Sequence, residues 1–200
     1  MCIRDSINAG DGLHEHPSQA LLDALTLRQH FGKVDGLKVC LVGDSLRSRV
    51  ARSNILLHRL YGNEVRLVAP PTVIPKEFEE LGAKVYYDMP SALEGADVVM
   101  SLRMKHEYQK DFYVPSMQEY TDRFLITTKL MEKYAPDAAI LAPGPFIRGT
   151  EIDSPVVDGD KSLISNQVTN GVAVRMALLF LLSLKQDKKS PEEIKEEMNI

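Results

Sequence analysis

Short apolar runs at residues 37–42, 64–68, 84–87, 97–101 and 138–141 alternate with stretches of helical spacing, and this alternation limits the fold more than any other feature of the chain. Runs this short, rich in valine, leucine and isoleucine and bounded by glycine or polar residues, read as buried strands. Between them, helical spacing is expected at 49–61, 75–81, 90–93 and 129–134, each of a length suited to a crossover connection. The pattern predicts an α/β fold, a doubly wound and mainly parallel Rossmann-like sheet flanked by helices. A further helix is expected from Pro17 to about Phe31, stopped by Gly32, and a long apolar one over 167–184, which needs a partner surface on more than one side. Residues 104–126, long, polar and interrupted by Pro115, read as a mobile excursion over the sheet rim.

In an open α/β sheet, ligands bind beyond the carboxyl ends of the strands. Arg49 falls in the turn after the first predicted strand, Arg103 just past the fourth, and Pro143-Gly144-Pro145 past the fifth, while His16-Pro17-Ser18-Gln19 opens the first helix. The turn from Gly43 to Arg49 carries no further glycine, so the dinucleotide fingerprint is absent and a nicotinamide cofactor is not indicated. Two guanidinium groups over one crevice suit a small dicarboxylate, since the planar fork matches a carboxylate bidentately. Taken alone, Arg47, Arg49 and Arg52 read equally well as an ordinary basic helix start. His16 alone reads better as a capping side chain than as an acid, and the proline pair as a rigid turn, although it removes backbone donors and leaves carbonyls free to accept.

The chain has 200 residues, is 44% hydrophobic and carries a formal net charge of −4, which gives no general attraction to nucleic acid or to an anionic membrane. Any anion binding must be local. With only Cys2 and Cys40, no disulfide framework or cysteine metal site is indicated, and a reducing, cytoplasmic compartment fits. The longest apolar stretch, 172–184, is interrupted by Arg175 and Ser183 and is too short to span a bilayer. His14 and His16 lack metal-ligand spacing, and His30, His58 and His106 form no constellation, reading as surface or packing residues. Met1-Cys2-Ile3-Arg4-Asp5-Ser6 looks unrelated to the rest of the chain and is set aside as a non-native leader.

Read together, Ile7-Asn8-Ala9-Gly10-Asp11-Gly12, the His16-Pro17-Ser18-Gln19 box with Ala20-Leu21-Leu22-Asp23, Gly43-Asp44 with Ser48-Arg49-Val50-Ala51-Arg52-Ser53-Asn54, Leu102-Arg103, Pro143-Gly144-Pro145 with Arg148-Gly149 and Glu151-Ile152, and Gln167-Val168 with Gly171-Val172-Ala173 resemble the aspartate/ornithine carbamoyltransferase family, from residue 7 to about 184. Ser18 in the box and the Ser48 to Ser53 segment resemble its aspartate branch; the ornithine branch typically has cysteine in the box. The resemblance implies transfer of the carbamoyl group of carbamoyl phosphate to L-aspartate in pyrimidine biosynthesis, with no metal or organic cofactor. It implies that His16 and Gln19 contact carbamoyl phosphate, that backbone carbonyls of Gly144 and Pro145 receive its amino group, and that Arg49 and Arg103 hold aspartate, with Lys105 beside them. It further implies a homotrimer at full length, with or without a regulatory chain.

This sequence departs from the family pattern at Ala142, where histidine is usual, at Lys105, where glutamine is usual, and at Tyr108, where arginine is usual. The family's Ser-Thr-Arg-Thr phosphate loop does not occur in these residues. The expected organisation is therefore a leader at 1–6, a helix of the carbamoyl-phosphate domain within 7–34, the aspartate-binding domain at 35–160, a helix returning to the carbamoyl-phosphate domain at 161–185, and a charged tail at 186–200. On this reading the chain is an inactive fragment of an enzyme. A non-catalytic dicarboxylate-binding or assembly module, or a carbamoyltransferase for another amino acid, stays open because of Lys105 and Ala142.

Overall fold

The computed structural model describes residues 6–104 and 114–186. Five strands, β1 (Lys38–Val42), β2 (Glu64–Val68), β3 (Ala83–Tyr86), β4 (Val98–Ser101) and β5 (Ala139–Leu141), form one sheet in the order β3-β2-β1-β4-β5. Every pairing is parallel. The expected α/β architecture is thus present, and its strands fall within a residue or two of the apolar runs. Alternation along a strand sends neighbouring side chains to opposite faces: Val39, Leu41 and Leu67 enter one core, and Cys40, Val42, Val68 and Val99 enter the other. Covered on both faces, the strands read as continuous apolar runs rather than alternating ones.

The helices are α1 (Pro17–Phe31), α2 (Arg49–Leu60), α3 (Glu77–Glu80), α4 (Met89–Leu93), α5 (Met117–Phe124), α6 (Thr128–Tyr134), α7 (Ser154–Val157) and α8 (Ile164–Gln186). α1 starts on Pro17, whose missing N–H costs nothing in the first turn, and stops at Gly32, which takes the left-handed conformation and donates its N–H to the carbonyl of Arg28. α2 is capped by the Ser48 hydroxyl, which accepts the N–H of Ala51 at 3.1 Å. α1 and α8 run against each other, joined by Asn170, whose Nδ2 donates to Thr26 Oγ1 at 2.9 Å and Gln29 Oε1 at 2.8 Å.

Two expectations need correction. In the stretch 104–126, read as a mobile excursion over the sheet rim, the described residues include α5, capped by Ser116 and burying Tyr120 and Phe124, whose rings stack at 5.6 Å. Aromatics four residues apart lie on one helix face, and that spacing outweighed the polarity of the surrounding sequence. α7 is absent from the predicted elements; four residues with Pro155 at the start give almost no periodic signal.

Candidate functional site

The chain leaves β1 for β2 and β3 on one side, then returns to lay β4 on the other, so the order reverses between β1 and β4. Loops diverge beyond the strand ends at such a point and leave a crevice. A cleft of about 430 Å³ lies there. Arg49 enters it from the first turn of α2, Arg103 from beyond β4, Pro143, Gly144 and Pro145 from beyond β5, and His16 and Gln19 from the start of α1. Lys105, Tyr108 and His106 lie outside the described residues.

Gly43 makes the meeting of the two arginine-bearing segments possible. It sits at φ +127°, and a Cβ there would lie 2.5 Å from the carbonyl oxygen of Leu102, so only glycine lets the end of β1 run this close to the end of β4. Leu102 in turn donates its N–H to the carbonyl of Val42 at 2.7 Å. The residue after Arg103 is pinned as well, since the N–H of Met104 donates to Oε1 of buried Glu151 at 2.9 Å.

The structure separates the three arginines of the β1–α2 segment. Arg47 is buried in an ion pair with Asp44 (Nε to Oδ2 2.7 Å, Nη2 to Oδ2 2.6 Å), and Arg52 lies over the Phe78 ring at 5.5 Å. Both are structural, as a basic helix start would be. Arg49 instead lines the cleft, its guanidinium near Gly10 and 3.5 Å from the carbonyl of Gly12. The remaining lining residues, Gly12, Leu13, Ser48, Val50, Ser101 and Leu102, add no acid. In a chain of net charge −4, the described lining of this cleft holds two guanidinium groups and no carboxylate.

His16 is the N-cap of α1 and donates its backbone N–H to Ser53 Oγ at 2.8 Å; that hydroxyl donates to Glu15 Oε2 at 2.5 Å. Burial, then the positive charges of Arg49 and Arg175, lower the pKa of the His16 ring from its ordinary value. Near neutral pH it is therefore an uncharged imidazole, which can donate one hydrogen bond without competing for anions.

Another group of residues acquires a role only in three dimensions. Asp23 is fully buried and accepts from Gln19 Nε2 at 2.9 Å, Gln167 Nε2 at 2.7 Å and Asn54 Nδ2 at 3.0 Å. Gln167 Oε1 also accepts the N–H of Ala142 at 2.9 Å, next to the proline turn. The available signal was an aspartate four residues after Gln19, among the buried α1 positions Ala20, Ala24, Thr26 and Leu27.

The profile described as the Asp/Orn binding domain of aspartate/ornithine carbamoyltransferase matches residues 35–182. The aspartate carbamoyltransferase catalytic subunit of Desulforamulus reducens is 55% identical over 177 residues, covering 88% of this chain and 57% of that protein. The same subunit of Granulibacter bethesdensis is 52% identical over 183 residues, covering 91% and 58%. Among solved structures, aspartate transcarbamoylase from Trypanosoma cruzi in complex with N-(phosphonacetyl)-L-aspartic acid superposes with a TM-score of 0.74 at 28% identity, covering 86% of this chain and 57% of that one. Ornithine carbamoyltransferase from Thermus thermophilus gives 0.73 at 28% identity, covering 88% and 57%. The chain thus spans somewhat more than half the length of the relatives it matches.

Proposed function

The chain belongs to the aspartate/ornithine carbamoyltransferase family, and from that premise we propose that it carries the amino-acid-binding part of an aspartate carbamoyltransferase, a transferase that moves the carbamoyl group of carbamoyl phosphate to L-aspartate in pyrimidine biosynthesis. The observation that carries this reading is the convergence of Arg49 and Arg103 on one cleft with His16 and Gln19. Two guanidinium groups suit the two carboxylates of aspartate. The distal ammonium of ornithine would meet the same cations and, among the described lining residues, no acid.

In the proposed reaction the deprotonated α-amino nitrogen attacks the carbamoyl carbon, forming the new C–N bond and placing negative charge on the carbonyl oxygen. The intermediate collapses as the C–O bond to phosphate breaks; phosphate leaves with the electron pair and takes up the proton that the attacking nitrogen gives up. The neutral imidazole of His16 donates to the oxygen that gains charge, and a donor of this kind is worth about 10²–10³ in kcat. Gln19 and the carbonyls of Gly144 and Pro145 accept from the carbamoyl amino group, while Arg49 and Arg103 fix the aspartate so that its amine faces the carbon. Lys105 follows Arg103 closely in sequence and serves on the aspartate side. No metal or organic cofactor is needed for this chemistry.

The 200 residues carry no Ser-Thr-Arg-Thr phosphate loop, so we propose that turnover needs a carbamoyl-phosphate half beside α1 and α8, with residues 35–160 as the aspartate-binding domain. A cytoplasmic homotrimer, with or without a regulatory chain, is the matching assembly. The test is to complete this chain with the N-terminal half of the Desulforamulus reducens relative and assay both amino acids. Formation of N-carbamoyl-L-aspartate, little product from ornithine, and little turnover by the 200 residues alone are expected. Preference for ornithine, or no turnover by a folded completed protein, would overturn the reading.

A further inference from the structure

Near the cleft, a fully buried carboxylate that is not part of its lining is surrounded by amide donors on three helices. Asp23 lies on α1, and its donors are Gln19 on α1, Asn54 on α2 and Gln167 on α8. We propose that Asp23 is a positioning residue: by holding the amides of Gln19 and Gln167 at once, it turns the Gln19 carbonyl oxygen toward the cleft and locks α1 to the turn that begins at Ala142. The cleft then offers a fixed acceptor to a ligand N–H. The identity of that ligand group rests on the carbamoyl-transfer reading; the orientation of Gln19 does not.

Amide orientations are settled by their partners, and here the partners agree. The N–H of Ala142 can only donate, so Gln167 must present Oε1 to it and Nε2 to Asp23. The carbonyl of Val50 can only accept, so Asn54 presents Nδ2 to it at 3.1 Å and, with the same nitrogen, to Asp23. Asp23 faces N–H groups on both oxygens, Oδ1 receiving the two glutamines and Oδ2 the asparagine. A proton on either oxygen would point at a donor, so the arrangement is complete only for the ionised, acceptor-only carboxylate. Burial opposes ionisation and raises the Asp23 pKa to about 6, which still leaves the carboxylate charged near neutral pH. With Nε2 of Gln19 committed to Asp23, the amide atom left for the cleft is Oε1. A glutamine held only by solvent would offer either end; this one offers an acceptor.

Amide exchange in the 200-residue chain tests the proposal without any need for turnover. In the wild type the side-chain amide protons of Gln19 and Gln167, assigned with Gln19→Ala and Gln167→Ala, should exchange at least about tenfold slower than those of an exposed glutamine. Asp23→Leu should abolish that protection at Gln19. The paired change Asp23→Asn with Asn54→Ser should keep it, because the amide oxygen placed at position 23 still accepts both glutamines while the hydroxyl placed at position 54 can accept from its nitrogen and donate to the carbonyl of Val50. In parallel, in the protein completed with the N-terminal half, the ratio of affinities for carbamoyl phosphate and inorganic phosphate, which lacks the N–H, should fall about tenfold in Asp23→Leu and recover in the paired variant. Unprotected Gln19 amide protons in the wild type, or protection lost equally in the paired variant, would overturn the positioning role even if Asp23→Leu does not fold. Protection as expected with no discrimination between the two anions by the wild type would instead count against the carbamoyl reading.

Discussion

Leu41 in β1 and Val172 in α8 are both aliphatic residues in regular secondary structure, yet the first is fully buried and the second is 62% exposed. Around Leu41 the sheet body follows the ordinary rule, with apolar side chains inside two cores. Around Val172 the rule is inverted. The α1–α8 pair buries Asp23, Thr26, Gln167 and Asn170, while Val168, Met176, Leu179 and Phe180 of α8 face solvent. On α1, by contrast, Ala20, Leu22, Ala24 and Leu27 are buried within this chain and Leu21 is 37% exposed. A polar seam gives orientation and few kilocalories, whereas an apolar face gives energy once something covers it. The contrast teaches that the sheet body covers its apolar side chains within this chain and that α8 does not cover its own; the proposed carbamoyl-phosphate half would supply the missing cover.

Substitutions should separate the two regions sharply. Leu41→Ala should cost about 2–5 kcal/mol in a denaturant titration, through lost transfer energy and the cavity left behind. Asp23→Ala should cost about 1–3 kcal/mol, since buried amide donors lose their acceptor. Met176→Glu should leave the unfolding midpoint nearly unchanged and reduce self-association in light scattering. Equal losses for Leu41→Ala and Met176→Glu would mean that α8 is as well buried as the sheet, and the comparison would fail.

Acid titration offers a finer test, because the two regions hold buried groups of opposite sign. His58, on α2, is pushed by burial from 6.5 down to about 4; the unfolded chain takes up its proton first, so this term removes stability as pH falls from 6.5 toward 4. Asp23 is pushed from 3.8 up to about 6; the folded chain takes up its proton first, so this term adds stability as pH falls from 6 toward 3.8. In the wild type the two slopes oppose each other across the shared window. His58→Gln should leave a chain whose stability holds up better on acidification than that of the wild type, and Asp23→Asn one whose stability falls faster. Unfolding free energies measured between pH 7 and pH 4 check both signs.

Much of this contrast was legible before coordinates. The strands announced themselves because a doubly covered parallel sheet needs unbroken apolar runs, and the placement of Arg49 and Arg103 followed from which strand ends they adjoin. Burial of α1 was not legible, because it depends on α2 and α8 closing over the same helix. Asp23 was hidden for the same reason: an aspartate inside a helix normally marks its solvent face, and its partner Gln167 lies 144 residues away. His58 looked like one more histidine without partners. Its Nδ1 is in fact 2.8 Å from Asn63 Nδ2, in a clasp that also takes the N–H of Leu37 and the carbonyl of Val34.

Two guanidinium groups acting together on one diacid are the centre of the proposed site. Calorimetric titration of the 200-residue chain with succinate, in the wild type, Arg49→Ala, Arg103→Ala and the double variant, measures that cooperation directly. Each single substitution should weaken binding about tenfold or more, with the wild type preferring succinate to a monocarboxylate. Succinate affinity that survives either substitution unchanged would contradict the shared grip.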